Sequence, residues 1–153
     1  KELTYGGDDL DGETIYVILR AIHDHSHIKK LNLKFYGFAD CTFELAQLVR
    51  MNKSLEHLTL NGPIDGEIGQ IGDEIMRNRT LKTFKFRLAE KVVSEGDLED
   101  FFAGFERNKV CRKIGIANID ESLITDAMRN NLNHRTHPIE LTLNSEFQMS
   151  LDF

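Results

Sequence analysis

One short pattern fixes most of what this chain can become. An apolar residue, two variable residues, then apolar–variable–apolar recurs as IKKLNL from residue 28, LEHLTL from 55, LKTFKF from 81 and CRKIGI from 111. PIELTL from 138 fits with Pro138 in the first place, and ELTY near the start supplies Leu3 and Tyr5 without it. The central apolar residues are Leu3, Leu31, Leu58, Phe84, Ile114 and Leu141, at intervals of 28, 27, 26, 30 and 27 residues. A beat of that length marks a repeat architecture. The alternation inside each copy marks a short strand.

A second period lies between the strands. Ile15, Ile18, Leu19 and Ile22 keep one-sided helical spacing, as do Leu98, Phe101, Phe102 and Phe105. Shorter sets follow the same rule: Leu45, Leu48 and Val49; Ile68, Ile71 and Ile75; Ile124, Ala127, Met128 and Leu132. Each predicts an amphipathic helix. Ser94 with Asp97 three places on, and Asp120 ahead of ESLI, read as helix starts, because a side-chain oxygen there accepts a free backbone N–H.

Each unit is therefore a strand, a loop and a helix, and neither element can bury its apolar face alone. Stacked units share one core, and strands about 4.8 Å apart inside a row of wider helices force curvature. The expected fold class is α/β: a solenoid or horseshoe with a parallel β-sheet on the concave face and helices on the convex face. Residues 1–153 form a single domain of about five strand–helix units plus a final strand, read as part of a larger protein.

The pattern resembles the leucine-rich repeat family in its long, ribonuclease-inhibitor-like class. The junctions MNKSLEHLTL, RNRTLKTFKF and RNKVCRKIGI, with Asn shortly before each strand, are similar to tropomodulin-type repeats. The resemblance implies the horseshoe fold and a non-catalytic protein-interaction role. Its tropomodulin side implies an alternative function, an actin-binding cytoskeletal domain. One feature departs from the family: it places Asn or Cys three residues after the last strand leucine, where this chain has Tyr36, Pro63, Ala89 and Ile119. The loops leaving the strands must satisfy their backbone groups in another way.

AIHDHSHIKK, residues 21–30, sets His23, His25 and His27 around Asp24. Aligned on the strands, His25 takes the slot of Asn52, Asn78 and Asn108, three residues ahead of the first strand position. Asn and His in that slot suit a left-handed turn at a helix end, so the stretch reads as a turn and no metal is assigned to it. Asn52-Lys53-Ser54 and Asn78-Arg79-Thr80 match the glycosylation acceptor but recur with the repeat, and read as turns too.

Strand residues between the apolar ones face out of the concave sheet. The candidate partner-binding residues are Lys30, Asn32, Lys34, His57, Thr59, Asn61, Lys85, Arg87 and Lys113; neighbouring outward positions include Glu2, Thr4, Glu140, Thr142 and Asn144. The four central units show five bases there and no acid, in a chain with 25 acids against 19 bases. Many acids crowd the fourth helix: Glu90, Glu95, Asp97, Glu99, Asp100 and Glu106. A basic strip on an acidic body steers an acidic partner, so the expected ligand is an acidic protein surface or peptide. The strip lacks interleaved aromatics for base stacking, which argues against nucleic acid. The terminal strands offer edges for homo-association.

The remaining classes find little support. The longest apolar runs fall short of the roughly 20 residues that span a bilayer, so no membrane role is expected. Two cysteines make no disulfide framework, which points to a reducing, cytoplasmic setting. GDD at 7–9 and GDE at 72–74 lack a partner His or Lys at metal-binding spacing. Cys111 takes an apolar slot and reads as buried; Cys41 falls in a loop and reads as the more reactive thiol. No catalytic residue and no cofactor are assigned.

Overall fold

Leu3, Leu31, Leu58, Phe84, Ile114 and Leu141 stand opposite one another on successive strands, so the sequence period is the register of the sheet. The structure, a computed structural model, describes residues 1–37, 39–90, 93–133 and 137–145. Among these the chain runs β1 (Glu2–Asp11), α1 (Gly12–Ile22), β2 (Lys30–Tyr36), β3 (Ala39–Asp40), α2 (Thr42–Met51), β4 (His57–Asp65) and α3 (Gly69–Arg77). It continues through β5 (Thr83–Leu88), α4 (Glu95–Arg107), β6 (Lys113–Ala117), a 3-10 turn (Glu121–Leu123), α5 (Asp126–Asn133) and β7 (Glu140–Leu143). All pairings are parallel, in the order β1-β2-β4-β5-β6-β7, with the short β3 beside the end of β4.

Each helix contacts the next along the chain, from α1 to α5, so the helices form one layer. Between helices and sheet lies a continuous core, in which Ile15, Leu19, Leu31, Leu58, Ile71 and Ile114 are fully enclosed. Its centre is aromatic: Phe84 stacks on Phe86 at 4.9 Å, and Phe101 packs edge-on against Phe86, Phe102 and Phe105 at 5.2–5.5 Å. Burying each ring stabilises the fold by about 2–3 kcal/mol. Above this centre α3 and α4 touch backbone to backbone. A Cβ on Gly104 would stand 2.0 Å from the Gly72 carbonyl oxygen, so only glycine permits that approach.

One helix start follows the sequence reading, at Ser94, and Asp11 supplies a cap which that reading did not name. Asp11 accepts from the Thr14 N–H at 2.9 Å to cap α1, and Ser94 Oγ accepts from the Asp97 N–H at 3.1 Å to cap α4. Asp120 caps only the 3-10 turn, accepting from the Ser122 N–H at 3.1 Å. The helix proper begins at Asp126, where Thr125 Oγ1 accepts from the Met128 N–H. Ala127, expected on the inner face, is exposed, and Ile124 is buried ahead of the helix. In the last unit Ile139 fills the buried place expected of Pro138, which is exposed.

The leading edge of the sheet, where helices end and strands begin, repeats one device. Asn52, Asn78 and Asn108 are almost fully buried. The Asn52 amide donates to the carbonyls of Ile22 and His25, that of Asn78 to Val49, and that of Asn108 to Ile75 and Asn78, at 2.6–3.1 Å. Each side-chain oxygen accepts the N–H groups two and three residues on, at 2.7–2.9 Å. A left-handed turn does not occur here: the three asparagines have φ of −74°, −67° and −74° with extended ψ. Asn is used for its amide, which reaches both backward to the previous unit and forward to its own strand. The amides of Asn52 and Asn78 are thereby enclosed and committed, which leaves no room for a glycan.

Candidate functional site

The alternation of the strands delivers the outward residues in rows. β4 and β5 alternate half-buried and buried positions along their length. The first row crosses the sheet as Glu2, Lys30, His57, Thr83, Lys113 and Glu140. Thr4, Asn32, Thr59, Lys85, Gly115 and Thr142 make the second. A third begins with Gly6, Lys34 and Asn61, then breaks. The β4–β5 register shifts between Thr59 and Pro63, so Arg87 stands beside Pro63 and Ala117 rather than beside Asn61. Asn144 leaves the face altogether: β7 ends at Leu143, and Asn144 has φ 53°.

Charges on this face are not equivalent. Lys30 pairs with Glu2 at 3.1 Å and Lys113 with Glu140 at 3.0 Å, so the two end units neutralise the outer bases of the first row. Asn32 is buried, its amide donating to Glu2 Oε1 at 3.1 Å and Thr4 Oγ1 at 3.2 Å. Bonds from Lys30, Thr4 and Asn32 hold the Glu2 carboxyl below its ordinary range. Just outside the row, Glu56 lies between Lys82 at 2.5 Å and Lys29 at 3.3 Å, and both lysines lower its pKa.

Lys34, Lys85 and Arg87 form no ion pair among the described residues. Lys34 is exposed, whereas Lys85 and Arg87 are half-buried. Partial burial lowers the pKa of Lys85, and Lys113 and Lys30 push the same way against Glu140. His57 is half-buried, with Nδ1 2.9 Å from Thr83 Oγ1. Burial lowers its pKa too; Lys82, Lys30 and Lys85 add to the effect and Glu56 opposes it. Of the nine candidates, the structure thus ties Lys30, Asn32 and Lys113 into pairs with the end units. Lys34, Lys85 and Arg87 keep charge without an ion-pair partner among the described residues, with His57 and Thr59 beside them. The sequence pattern found the face; the compensation by Glu2 and Glu140 required knowing which unit ends carry acids in register.

Other bases line the leading edge, but they serve the helix ends. Lys53 donates to the Arg50 carbonyl at 2.7 Å and Arg79 to Met76 at 3.0 Å, where cations also oppose the negative end of the helix dipole, and Arg112 donates to Lys109 at 3.0 Å just past the end of α4. On the trailing edge, where strands end, the acidic region forms a cleft of about 190 Å³ lined by Asp65, Glu67, Leu88, Glu90 and Asp97 among others. Asp97 is committed there: its oxygens accept from the Ile68 and Gly69 N–H groups at 3.0 and 2.6 Å, capping α3 from the neighbouring unit.

Cys41 is not the reactive thiol its loop position suggested. It is fully buried, and burial, with Glu44 and Asp40 nearby, pushes its pKa up to about 12. Cys111 is buried as expected, and neither cysteine forms a disulfide. The opening histidines act locally: His23 Nδ1 lies 2.6 Å from the Arg20 carbonyl and Nε2 3.1 Å from Asp24, while His25 Nδ1 accepts from the His27 N–H at 3.2 Å. His25 thus reproduces the forward half of what Asn52, Asn78 and Asn108 do. Among the described residues no group of three or more His, Cys, Asp and Glu is arranged to hold a metal ion, and no helix is long and apolar enough to cross a membrane. No protein-family model matches the chain, and no curated protein matches it either.

Proposed function

We propose that this chain is a non-catalytic protein-interaction module, a short curved solenoid of leucine-rich-repeat type that binds an acidic protein surface or peptide on the open face of its sheet. The observation that carries this reading is the set Lys34, Lys85 and Arg87, which holds three cations without counter-ions among the described residues on a face whose outer bases are paired. Uncompensated charge on an open face attracts an opposite charge at long range and gains most when that charge is desolvated against it. The unbroken parallel order of the strands and the 26–30-residue beat support the solenoid. Two buried cysteines that form no disulfide fit a reducing, cytoplasmic setting.

The outer edges of β1 and β7 offer places for a second copy. Stacking β7 on β1 of another copy in the existing register would set Glu140 against Glu2, and like charges directly opposite disfavour that head-to-tail arrangement.

The test is an affinity capture at low and moderate salt, comparing the wild type with Lys34→Glu/Lys85→Glu/Arg87→Glu, with thermal melting to establish that the variant is folded. Expected is an acidic partner captured by the wild type, weakened by salt and lost from the folded variant. Retention of the same partner by the variant would remove the open face as its site. Cosedimentation with filamentous actin separates the tropomodulin-like alternative.

A further inference from the structure

Row one of the sheet carries an imidazole between a lysine and a threonine. His57 sits between Lys30 on β2 and Thr83 on β5, with Lys85 one row on. Among the described residues the charges that act on it are Lys30 from β2, Lys82 and Lys85 from the β5 side, and Glu56 just ahead of its own strand. Glu56 is already bridged by Lys29 and Lys82, so little negative charge is left over for the ring. Nδ1 is occupied by Thr83 Oγ1 at 2.9 Å. A hydroxyl can donate to a neutral ring or accept from a charged one, so this bond survives protonation by rotation of the Thr83 hydroxyl. Nε2 has no protein partner among the described residues.

We infer that His57 is a proton-linked member of the anion site: a carboxylate of the partner seated over Lys85 is held more tightly once His57 is protonated. The inference rests on the open face being the site for an acidic partner, and it adds a direction to it. Without a ligand, partial burial lowers the pKa of the ring, and three lysines add to this against Glu56. A bound carboxylate supplies the missing countercharge, so the ring takes up a proton on binding. Affinity then rises as pH falls, through the window below the ordinary histidine value of 6.5, while aspartate and glutamate of the partner stay ionised.

The probe is a fluorescent hexaglutamate peptide titrated against the wild type, His57→Gln and His57→Lys between pH 7.5 and 5.8, with the His57 ring followed by NMR in the same range. Expected for the wild type is an affinity gain of about three- to tenfold on acidification, as a shift of up to one pKa unit gives. His57→Gln keeps a bonding partner for Thr83 and is expected to bind weakly at every pH, whereas His57→Lys binds tightly at every pH. The His57 titration midpoint should move up when the peptide is present. An unchanged pH dependence in His57→Gln, or a His57 midpoint indifferent to the peptide, overturns the linkage while leaving the site. Absence of binding by the wild type at every pH overturns the site itself, and the linkage with it.

Discussion

The two edges of the sheet solve the same problem in opposite styles. On the leading edge, where each helix hands over to a strand, Asn52, Asn78 and Asn108 make the same forward bonds and reach back to carbonyls of the previous unit. On the trailing edge each unit improvises. β3 pairs with the end of β4, Asp97 caps α3 from the next unit, and Asn118 donates to the Leu88 carbonyl at 2.8 Å. Asn144 closes the series by both donating to and accepting from the backbone of Ile119. A device repeated without variation is structural. Variation on the other edge shows that its loops are held one by one, and that substitutions there act locally.

The largest effect should follow from breaking the regular edge. Asn78→Ala removes the side-chain partner of the buried Leu81 N–H, the half-buried Thr80 N–H and the Val49 carbonyl. Each such group costs about 1–3 kcal/mol, so a loss of about 3–4 kcal/mol is expected by chemical denaturation. A loss below about 1 kcal/mol would mean that water replaces the amide and that the ladder is not what holds the units together. Asp97→Ala, on the irregular edge, removes the cap that α3 borrows from its neighbour and should cost about 1–2 kcal/mol. Hydrogen exchange should show the loss confined to the first turn of α3. Asn118→Ala should cost about 1 kcal/mol, for one half-buried bond and a φ of 58° that alanine adopts reluctantly. The smallest change sharpens the comparison from the other side. Thr80 Oγ1 is buried with no hydrogen-bond partner among the described residues, whereas Ser54 Oγ at the equivalent place lies within donating distance of the carbonyls of His25 and Ile28. Thr80→Val should therefore raise the melting temperature slightly, and Ser54→Val should lower it.

What could be read in the sequence follows the same division. Leu31, Leu58, Phe84 and Ile114 announced the register because each sits in the same core slot, and burial allows few alternatives there. The asparagines were legible as positions but not as chemistry: spacing marked the turn, and only the backbone angles show that the amide matters and not a left-handed conformation. Asp97 read only as part of the start of its own helix and of the acids around it, since a contact to the preceding unit has no sequence spacing of its own. On the open face, alternation marked the outward positions, but Asn32 is buried there and Asn144 turns off the sheet. The Thr59–Pro63 register shift and the pairing of Lys30 and Lys113 with end-unit acids decide which bases remain uncompensated, and neither has a local signature. Cys41 failed for a similar reason, because a place between strand and helix gives no hint of complete burial.

Backbone amide shifts in NMR on adding hexaglutamate would test the central claim most directly, because they separate the open face from both edges in one titration. Expected are perturbations concentrated at Lys34, Thr59, Lys85 and Arg87, weakening with salt and absent from the charge-reversed variant. Perturbations centred on the basic leading edge, residues 50–54 and 77–82, or no perturbation at any salt concentration, would contradict a binding role for the open face.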